Sequence, residues 1–490
     1  MSASRRRGRR PRRLPGQRGG GYAAGLTLLL MLLAGWVWAY APVPALAVSL
    51  PPPSRPPGVL PWLTVSGSRI VDEQGRAVLL RGFNTSALLE PDTVDPSPLD
   101  LRDIEEMQQS GFTVLRLPIA WSRLEPVRGR VDAAYLDEIA RYVTMAETHG
   151  MYVVLDMHFL DWGPAFGGSG APRWASVPAV PDLQFWPWDS WRRHLSPAVN
   201  AAYTYFWLAP DWQRDFSMVW RALATRFRDD PGVAGYDIFN EPHPIPIPPR
   251  LFEQDWMWPL YARTIADVGA VDANHLFFVE GDLLGDFPTT IVPLHARGVV
   301  YSPHIYTGSL VPPAFDGDRR PFDAHVVEQE GEAAQVPAPM WTGELGIDSS
   351  VPHAGQYADT ALDAYDDDQT GWAWWQWRER TPWGVANDAG VVNRSWLVHL
   401  ARPFVAASPP GVVGGRGDGV RGTLTVHVSA AHGAQDAVVS WPASTLAAPQ
   451  VSGSCVASSS WDATTARLTL QLDPGVGCDV SLSAAGGDGR

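Results

Sequence analysis

The chain has 490 residues, of which 45% are hydrophobic and 18% charged, so it carries enough apolar material for a large core and is unlike a disordered chain. All 38 side chains in the Lys and Arg count are arginines, which excludes chemistry that needs a lysine amine, such as Schiff-base formation or the phosphate-binding P-loop. The net charge of −14 argues against nucleic-acid binding, because an acidic surface repels phosphate backbones.

The first 47 residues contain the three parts of a secretory signal. An arginine cluster occupies residues 5–18, an apolar run extends from Tyr22 to Tyr40, and Ala45-Leu46-Ala47 forms a small-x-small cleavage site. We therefore predict that residues 1–47 are a signal peptide and that the protein is secreted or held at the cell surface. An uncleaved membrane anchor is the alternative, because an apolar run of about 19 residues approaches the length that spans a bilayer.

Residues 48–61 are rich in proline and are predicted to form a stiff linker. From residue 62 to residue 408, short apolar runs alternate with amphipathic segments, as expected for parallel strands that are buried on both faces. These runs predict an α/β fold, a (β/α)8 TIM barrel. An open doubly wound sheet is disfavoured, because no Gly-rich phosphate turn follows an early strand. The eight runs are Ala77–Phe83, Thr113–Trp121, Met151–His158, Val233–Asn240, His275–Gly281, Gly298–Tyr306, Met340–Gly346 and Gly371–Trp377.

Apolar stripes with helical spacing occur between these runs. Three of them are clear: Leu101, Ile104 and Met107; Leu136, Ile139, Val143 and Ala146; and Phe216, Val219, Trp220, Leu223 and Phe227.

A Trp-rich insertion, residues 159–210, follows the third strand. It contains few Asn or Gln and no Lys to bind sugar hydroxyls, and its apolar residues cluster. It could provide stacking platforms for sugars, an apolar lip for lipid, or a plain covering loop. We favour the apolar lip, because tryptophan prefers the water–lipid boundary. Its tryptophans are Trp162, Trp174, Trp186, Trp188, Trp191 and Trp207.

Residues 409–490 are predicted to form a small C-terminal β-sandwich. Helical periodicity disappears there, and 424–428 and 468–472 alternate apolar and polar residues as half-exposed strands do. The only two cysteines, Cys455 and Cys478, are too few for a thiolate metal site. In an oxidising exterior they are predicted to form a disulfide.

Two glutamates end predicted barrel strands, where the active site of such a barrel lies. Glu241 follows the fourth strand in Asn240-Glu241-Pro242, and Glu344 ends the seventh in Gly343-Glu344. Two carboxylates among Arg, His, Tyr and Trp suit cleavage of a glycosidic bond, in which one acid protonates the leaving oxygen and the other attacks or stabilises the anomeric carbon. The other strand-end candidates are Arg116, Asp156, His158, His304, Tyr306 and Trp375.

In order and spacing, these motifs resemble glycoside hydrolase family 5. The resemblance covers residues 60–400 and implies Glu241 as acid/base, Glu344 as nucleophile and net retention of configuration. The appended β-domain, the Trp-rich insertion and the Asp-x-His motif resemble the endoglycoceramidase and glycosylceramidase branch of that family. The segments that carry the family resemblance are Arg81-Gly82-Phe83-Asn84, Leu115-Arg116-Leu117-Pro118, Asp156-Met157-His158, Asn240-Glu241-Pro242, His304-Ile305-Tyr306, Gly343-Glu344 and Gly371-Trp372-Ala373-Trp374-Trp375.

The remaining candidates are interpreted as substrate-binding or positioning groups. Arg116 is expected to orient Glu344 and keep it ionised, because a nearby cation favours the charged form. Asn240 is expected to bind a sugar 2-hydroxyl, and Trp375 to floor the sugar subsite. Two histidines without a third ligand are expected to form hydrogen bonds rather than a metal site, so no metal or cofactor is predicted. Glu280, which lacks a flanking motif, is interpreted as structural.

We therefore predict a secreted, monomeric, retaining β-glycoside hydrolase whose partner is a glycan or glycolipid, with transient contact to a membrane or micelle surface. The favoured substrate is the sugar–lipid linkage of glycolipids such as glycosylceramides. Two alternatives stay open at this point: a hydrolase of soluble polysaccharide of the endo-β-glucanase or mannanase type, and a non-catalytic carbohydrate-binding surface protein. Intact Glu241 and Glu344 argue against the second of these.

Overall fold

The computed structural model describes residues 60–485, except 177–195, 245, 286, 432, 434 and 435. The predicted signal peptide and most of the predicted linker lie outside the described residues, as do Trp186, Trp188 and Trp191 of the Trp-rich insertion. Within the described part, no helix is long and apolar enough to cross a membrane.

Eight parallel strands form the barrel that the sequence predicts. The sixth strand is interrupted at Ser302 and Pro303. The second half of this strand pairs with the seventh strand, and Tyr301 in its first half bridges to Met340, so the sheet closes into a barrel. Three short strands precede the barrel: β1 (Leu63–Ser66), β2 (Arg69–Asp72) and β3 (Ala77–Val78). The barrel strands are β4 (Arg81–Asn84), β5 (Val114–Ile119), β6 (Tyr152–Met157), β7 (Val233–Asp237), β8 (Leu276–Val279), β9 (Val299–Tyr301) with β10 (His304–Ile305), β11 (Trp341–Leu345) and β12 (Gly371–Trp374).

Successive residues of each strand face the inside and the outside of the barrel in turn. Val114 and Val154 belong to an inner apolar cluster, whereas their neighbours Leu115 and Val153 belong to the outer cluster that the helices cover. Two positions further along β5, the inward side chain is Arg116 rather than valine. The interior therefore changes from apolar to polar towards the carboxyl ends of the strands.

The three predicted helical stripes lie on helices and are buried, except for Leu101, which is exposed in the first turn of its helix. The first helix begins with a capping box between Asp100 and Asp103, which satisfies its free N–H groups. The helices are α1 (Leu101–Gln109), α2 (Trp121–Leu124), α3 (Ala133–Glu147), α4 (Pro197–Leu208), α5 (Pro210–Phe227), α6 (Pro249–Phe252) continued by a π turn (Glu253–Met257), α7 (Trp258–Gly269), α8 (Arg320–Gln335), α9 (Ala354–Asp367) and α10 (Arg394–Leu400), with a 3-10 turn at Arg173–Ala175.

Most of the described aromatic residues of the Trp-rich insertion pack inward, although Tyr205 is 49% exposed. Phe159, Trp162, Phe206 and Trp207 are buried, and the Trp162 ring meets Tyr203 edge to face with centroids 4.9 Å apart. These residues therefore form part of the core. Trp162 and Trp207 therefore do not belong to the apolar lip that we favoured, and the lip stays a prediction for the rest of the insertion, of which residues 177–195 lie outside the described part.

The C-terminal strands form two antiparallel sheets around a separate apolar core that includes Trp441, as the alternating pattern predicts. One sheet has the order β1-β2-β3-β13-β16-β19-β18, so it also includes the strands that precede the barrel and crosses the predicted boundary at residue 409; the other is β14-β15-β20-β17. The predicted disulfide between Cys455 and Cys478 is confirmed, with an S–S distance of 2.00 Å. The strands are β13 (Phe404–Ser408), β14 (Val412–Gly414), β15 (Thr423–Val428), β16 (Ala437–Ser440), β17 (Pro449–Ser452), β18 (Val456–Asp462), β19 (Arg467–Leu472) and β20 (Cys478–Ala484).

Candidate active site

Arg116 lies at the centre of the polar end of the barrel and is completely buried. Its Nε donates to Asp237 Oδ2 at 2.9 Å, its Nη1 donates to Glu344 Oε1 at 2.7 Å, and Nη1 also lies 3.2 Å from Asp156 Oδ2. Burial lowers the pKa of Arg116, but these three carboxylates more than offset that effect and raise the pKa above its ordinary value. The guanidinium therefore remains a cation that three acids share.

Glu344 ends β11 and is held by both of its carboxylate oxygens. Arg116 binds Oε1, and the Tyr306 hydroxyl donates to Oε2 at 2.9 Å. The Glu344 side chain is 6% exposed, so it reaches the barrel mouth but cannot move freely. These contacts fix the orientation of a nearly buried carboxylate.

Glu241 follows β7, and its side chain is 25% exposed. Its Oε1 lies 3.0 Å from Nδ1 of His304, the first residue of β10. Burial lowers the pKa of His304 to about 4, although Glu344 opposes this, so the imidazole is neutral at physiological pH. Glu241 is thus a partly open carboxyl group in contact with a neutral histidine.

The two glutamates face the same opening. One side-chain oxygen of Glu241, one of Glu344 and a ring nitrogen of His304 all lie within 4.8 Å of one another. The parallel register places His304 directly opposite Glu344 on neighbouring strands, which brings the sixth and seventh strand ends together. The structure therefore assembles three of the predicted site residues into one cluster.

Asp156, His158 and Trp375 form one wall of the site. Nδ1 of His158 lies 2.8 Å from Asp156 Oδ2, and the His158 ring stacks on Trp375 with centroids 5.5 Å apart and an interplanar angle of 14°. Burial lowers the pKa of His158, but Asp156 raises it by more, so the net shift is upward. The half-buried Trp375 ring presents an aromatic surface at the barrel mouth.

Asn240 comes next to Glu241 and is also brought into the site. Its Oδ1 accepts a hydrogen bond of 3.0 Å from Nη2 of Arg116, and its Nδ2 donates to the Phe159 carbonyl at 3.3 Å. All seven predicted substrate-binding residues, together with both glutamates, therefore lie at this end of the barrel.

Several residues of the site were not singled out from the sequence. Asn84 accepts from Arg116 at 3.0 Å, Asp237 accepts from the same guanidinium, and Trp383 packs edge-on to Tyr306 with centroids 6.2 Å apart. Asn84 and Asp237 both end barrel strands, so strand position was the signal that could have identified them. Trp383 comes from a loop after β12, where no such signal exists.

Glu280, interpreted as structural from the sequence, also lies in this cluster. It follows β8 and is 2% exposed, and its Oε1 accepts the backbone N–H of Glu241 at 3.1 Å. Its other oxygen, Oε2, lies 3.6 Å from Nε2 of His304.

Known proteins with the same architecture provide an independent comparison. The chain is 33% identical over 183 residues to endoglycoceramidase I of Rhodococcus hoagii, a match that covers 37% of this chain and 37% of that protein. Endo-glycoceramidase II from Rhodococcus sp., solved as a ganglioside GM3 complex, superposes with a TM-score of 0.74 at 25% identity and covers 86% of this chain and 100% of its own. The crystal structure of an endogalactoceramidase superposes with a TM-score of 0.70 at 28% identity, and the match covers 87% of this chain and 100% of that protein.

The model of cellulase, glycosyl hydrolase family 5, matches residues 71–381, which include both glutamates and every barrel strand. Together with the closed eight-stranded barrel, this match shows that the chain belongs to glycosyl hydrolase family 5.

Proposed function

We propose that the protein is a secreted, retaining β-glycoside hydrolase that uses Glu241 as acid/base and Glu344 as nucleophile. The observation that carries this proposal is that one carboxylate oxygen of Glu241 lies within 4.8 Å of one carboxylate oxygen of Glu344 at the barrel mouth. Retaining glycosidases have carboxyl groups about 5–5.5 Å apart, whereas inverting enzymes need about 6.5–9.5 Å to admit a water molecule. The short separation favours retention.

The surroundings of each glutamate suit its role. Glu344 can attack the anomeric carbon because Arg116 and Tyr306 hold its two oxygens in place. Glu241, which is more exposed, protonates the leaving oxygen in the first step. In the second step its carboxylate takes a proton from the water that releases the sugar from Glu344.

The sugar is proposed to sit against the His158 and Trp375 wall. An aromatic face binds the apolar face of a sugar ring, and the neighbouring polar groups bind its hydroxyls. Asn240 lies between Glu241 and Arg116, where a contact with the 2-hydroxyl would strengthen in the transition state. These positions support a pocket for at least one sugar residue next to Glu344.

For the substrate, we propose the sugar–lipid linkage of glycolipids such as glycosylceramides. The endoglycoceramidase name of the Rhodococcus hoagii relative supports this class. So do exposed apolar residues in the segments that follow barrel strands, because these segments belong to the catalytic face of such a barrel, where apolar groups can contact lipid. We define the apolar rim as the exposed apolar residues that lie after a barrel strand and before the last helix that precedes the next strand, together with Phe287 between β8 and β9: Val127, Tyr205, Leu208, Leu251, Phe287, Leu310, Val351 and Val391.

Export through residues 1–47 and a monomeric state remain parts of this proposal. Sequencing the N-terminus of the exported protein would locate the cleavage site, and sedimentation would measure its mass. An N-terminus that retains residues 1–47 would favour the membrane-anchor alternative.

A product profile tests the substrate class. The wild type is incubated with a glucosylceramide and an oligosaccharyl ceramide in detergent micelles, and in parallel with cellulose and mannan oligomers. We expect release of intact sugar from ceramide at a much higher rate than cleavage of the soluble oligomers. The reverse preference would assign the chain to the soluble-polysaccharide hydrolases, and no turnover of any glycoside would favour a carbohydrate-binding protein.

The same assay with and without a chelator tests the two-glutamate mechanism. Two carboxylates and a histidine within 4.8 Å are also donors that a divalent cation accepts. Hydrolysis by Glu241 and Glu344 needs no metal, so we expect equal rates after exhaustive chelation. A rate that is lost on chelation and restored by a divalent cation would contradict the mechanism.

A further inference from the structure

Glu280 is a third carboxyl group at the barrel mouth, and it touches both partners of the Glu241–His304 pair. It accepts the backbone N–H of Glu241 at 3.1 Å with Oε1 and lies 3.6 Å from Nε2 of His304 with Oε2. It is 2% exposed, so little of its surface is open to substrate, and it lines a cavity together with Glu241 and His304. The titratable groups that face it are Arg116, Asp237, Glu241, Tyr261, Tyr301 and His304.

The contact with Glu241 acts on a strained backbone. Glu241 has a φ of +46°, in the left-handed region that residues other than glycine rarely adopt. Such a conformation persists only where the surrounding structure holds it. The hydrogen bond from the Glu241 N–H to Glu280 provides one such restraint, and it fixes the direction in which the Glu241 side chain leaves the backbone.

The contact with His304 concerns the position of its single proton. A neutral imidazole has one N–H donor and one acceptor nitrogen. Burial and the neighbouring Asp237 raise the pKa of Glu280 above its ordinary value, which favours the protonated form of its carboxyl group. A protonated Oε2 of Glu280 would donate to Nε2 of His304. The two atoms lie 3.6 Å apart, and a shift of about half an ångström would bring them within hydrogen-bond distance. The proton of His304 then lies on Nδ1, directed at Oε1 of Glu241.

We propose that Glu280 is a positioning residue for the acid/base, which holds the Glu241 backbone through its N–H and directs the Nδ1–H of His304 at Glu241. This N–H contact would hold Oε1 of Glu241 and fix the orientation of its carboxyl group. This inference rests on the proposed function and assigns to it a residue beyond Glu241 and Glu344.

The test compares two leaving groups within each enzyme variant. A phenyl β-glycoside needs protonation by Glu241, whereas a 2,4-dinitrophenyl β-glycoside leaves without it. Both glycosides carry the sugar that the wild type releases from its substrate. Glu280→Met keeps the length of the side chain but removes both contacts. We expect its kcat/KM to fall at least about tenfold on the phenyl glycoside and only slightly on the dinitrophenyl glycoside.

Glu280→Gln is the conservative variant. Its amide oxygen still accepts the Glu241 N–H, and its amide NH2 donates to Nε2 as a protonated carboxyl group does. We therefore expect Glu280→Gln to restore most of the wild-type ratio between the two substrates. Because both rates are measured on one sample, their ratio does not depend on how much of a variant is folded.

Glu253→Gln is the matched control. Glu253 is also 2% exposed and accepts a backbone N–H, from Thr290 at 2.8 Å, but the described contacts do not join it to Glu241 or His304. In Glu253→Gln, the ratio of kcat/KM on the two glycosides should equal the wild-type ratio. Equal losses on both substrates in Glu280→Met, or a loss in Glu280→Gln as large as in Glu280→Met, would overturn the positioning role while leaving the proposed function intact. A wild type that hydrolyses neither glycoside would overturn both.

Discussion

Nη1 of Arg116 lies 2.7 Å from Oε1 of Glu344, and neither side chain is more than 6% exposed. The same guanidinium also reaches Asp156 and Asp237, so one cation connects the proposed nucleophile to the interior of the barrel. This relationship ties the chemistry of the site to the stability of the fold. Some variants of the site should therefore lose activity alone, and others should lose both activity and stability.

Replacement of either catalytic glutamate by glutamine should remove activity and leave the fold intact. Glu344→Gln removes the nucleophile, and Glu241→Gln removes the proton donor, so each should lower kcat on a glycolipid by at least about 10²–10⁴-fold. The exposed Glu328→Gln on α8 is the control and should keep the wild-type rate. Proton NMR of the first-formed product should show retained configuration; an inverted product would contradict the assignment.

Loss of Arg116 should destabilise the protein. Arg116→Met leaves three buried carboxylates without their cation, a change that costs about 3–5 kcal/mol where one partner of a buried pair is removed. Urea unfolding at neutral pH should show this loss, and Arg116→Lys, which keeps the charge, should lose less. Burial already raises the pKa of Asp237 to about 7. Protonation at lower pH should therefore reduce the deficit of Arg116→Met, and a deficit that grows on acidification would contradict this explanation.

The buried His304 should make stability depend on pH. Burial lowers its folded-state pKa to about 4, below the value of about 6.5 in an unfolded chain. Between these values only the unfolded state takes up the proton, so the free energy of unfolding should fall as the pH drops through this window, by up to about 3 kcal/mol. His304→Asn should lose this part of the pH dependence between pH 7 and 4.5. The exposed His427→Asn serves as control, and a His304→Asn profile parallel to the wild type would refute the prediction.

The barrel and the nine predicted site residues could be placed from the sequence because both depend on local patterns. A parallel strand covered on both faces is a short apolar run, and the residue that ends it lies at the catalytic face. The contacts of Glu280 could not be predicted in this way. Its position at a strand end was visible, but its contacts with Glu241 and His304 depend on the closure of the barrel.

The C-terminal sheet could not be predicted in full for a related reason. β13 pairs with β3, which lies more than 300 residues earlier in the chain, and no local pattern records that pairing. Two tryptophans of the Trp-rich insertion also differ from the prediction. Trp162 and Trp207 lie in an aromatic-rich stretch that we interpreted as a surface patch, yet both side chains are buried against neighbouring aromatic rings.

The disulfide should stabilise the C-terminal sheets without affecting catalysis. Cys455 and Cys478 close a loop of 23 residues, which the chain-entropy model values at about 3 kcal/mol. The paired substitution Cys455→Ala with Cys478→Ala should lower the free energy of unfolding by about that amount. Its kcat on an aryl β-glycoside should equal the wild-type value at a temperature where both are folded. A large loss of kcat would show that the C-terminal sheets contribute to the active site.

Substitutions on the apolar rim should separate micellar from soluble substrates. Phe287 and Leu310 follow the fifth and sixth barrel strands and are 61% and 62% exposed. Neither is part of the core, so the double variant Phe287→Ser, Leu310→Ser should fold normally. If the rim contacts lipid, each side chain contributes about 1.5–3 kcal/mol when buried, and KM for a glycosylceramide in micelles should rise by about 10-fold or more.

The same double variant should hydrolyse a soluble aryl β-glycoside at the wild-type rate, because neither side chain contacts Glu241 or Glu344 among the described interactions. Val327→Ser is the matched control, since Val327 is 65% exposed but lies on α8 and outside the rim. It should leave both substrates unaffected. Equal rises in KM on both substrates would point to a distorted site, and an unchanged KM on micelles would show that the rim does not contact lipid.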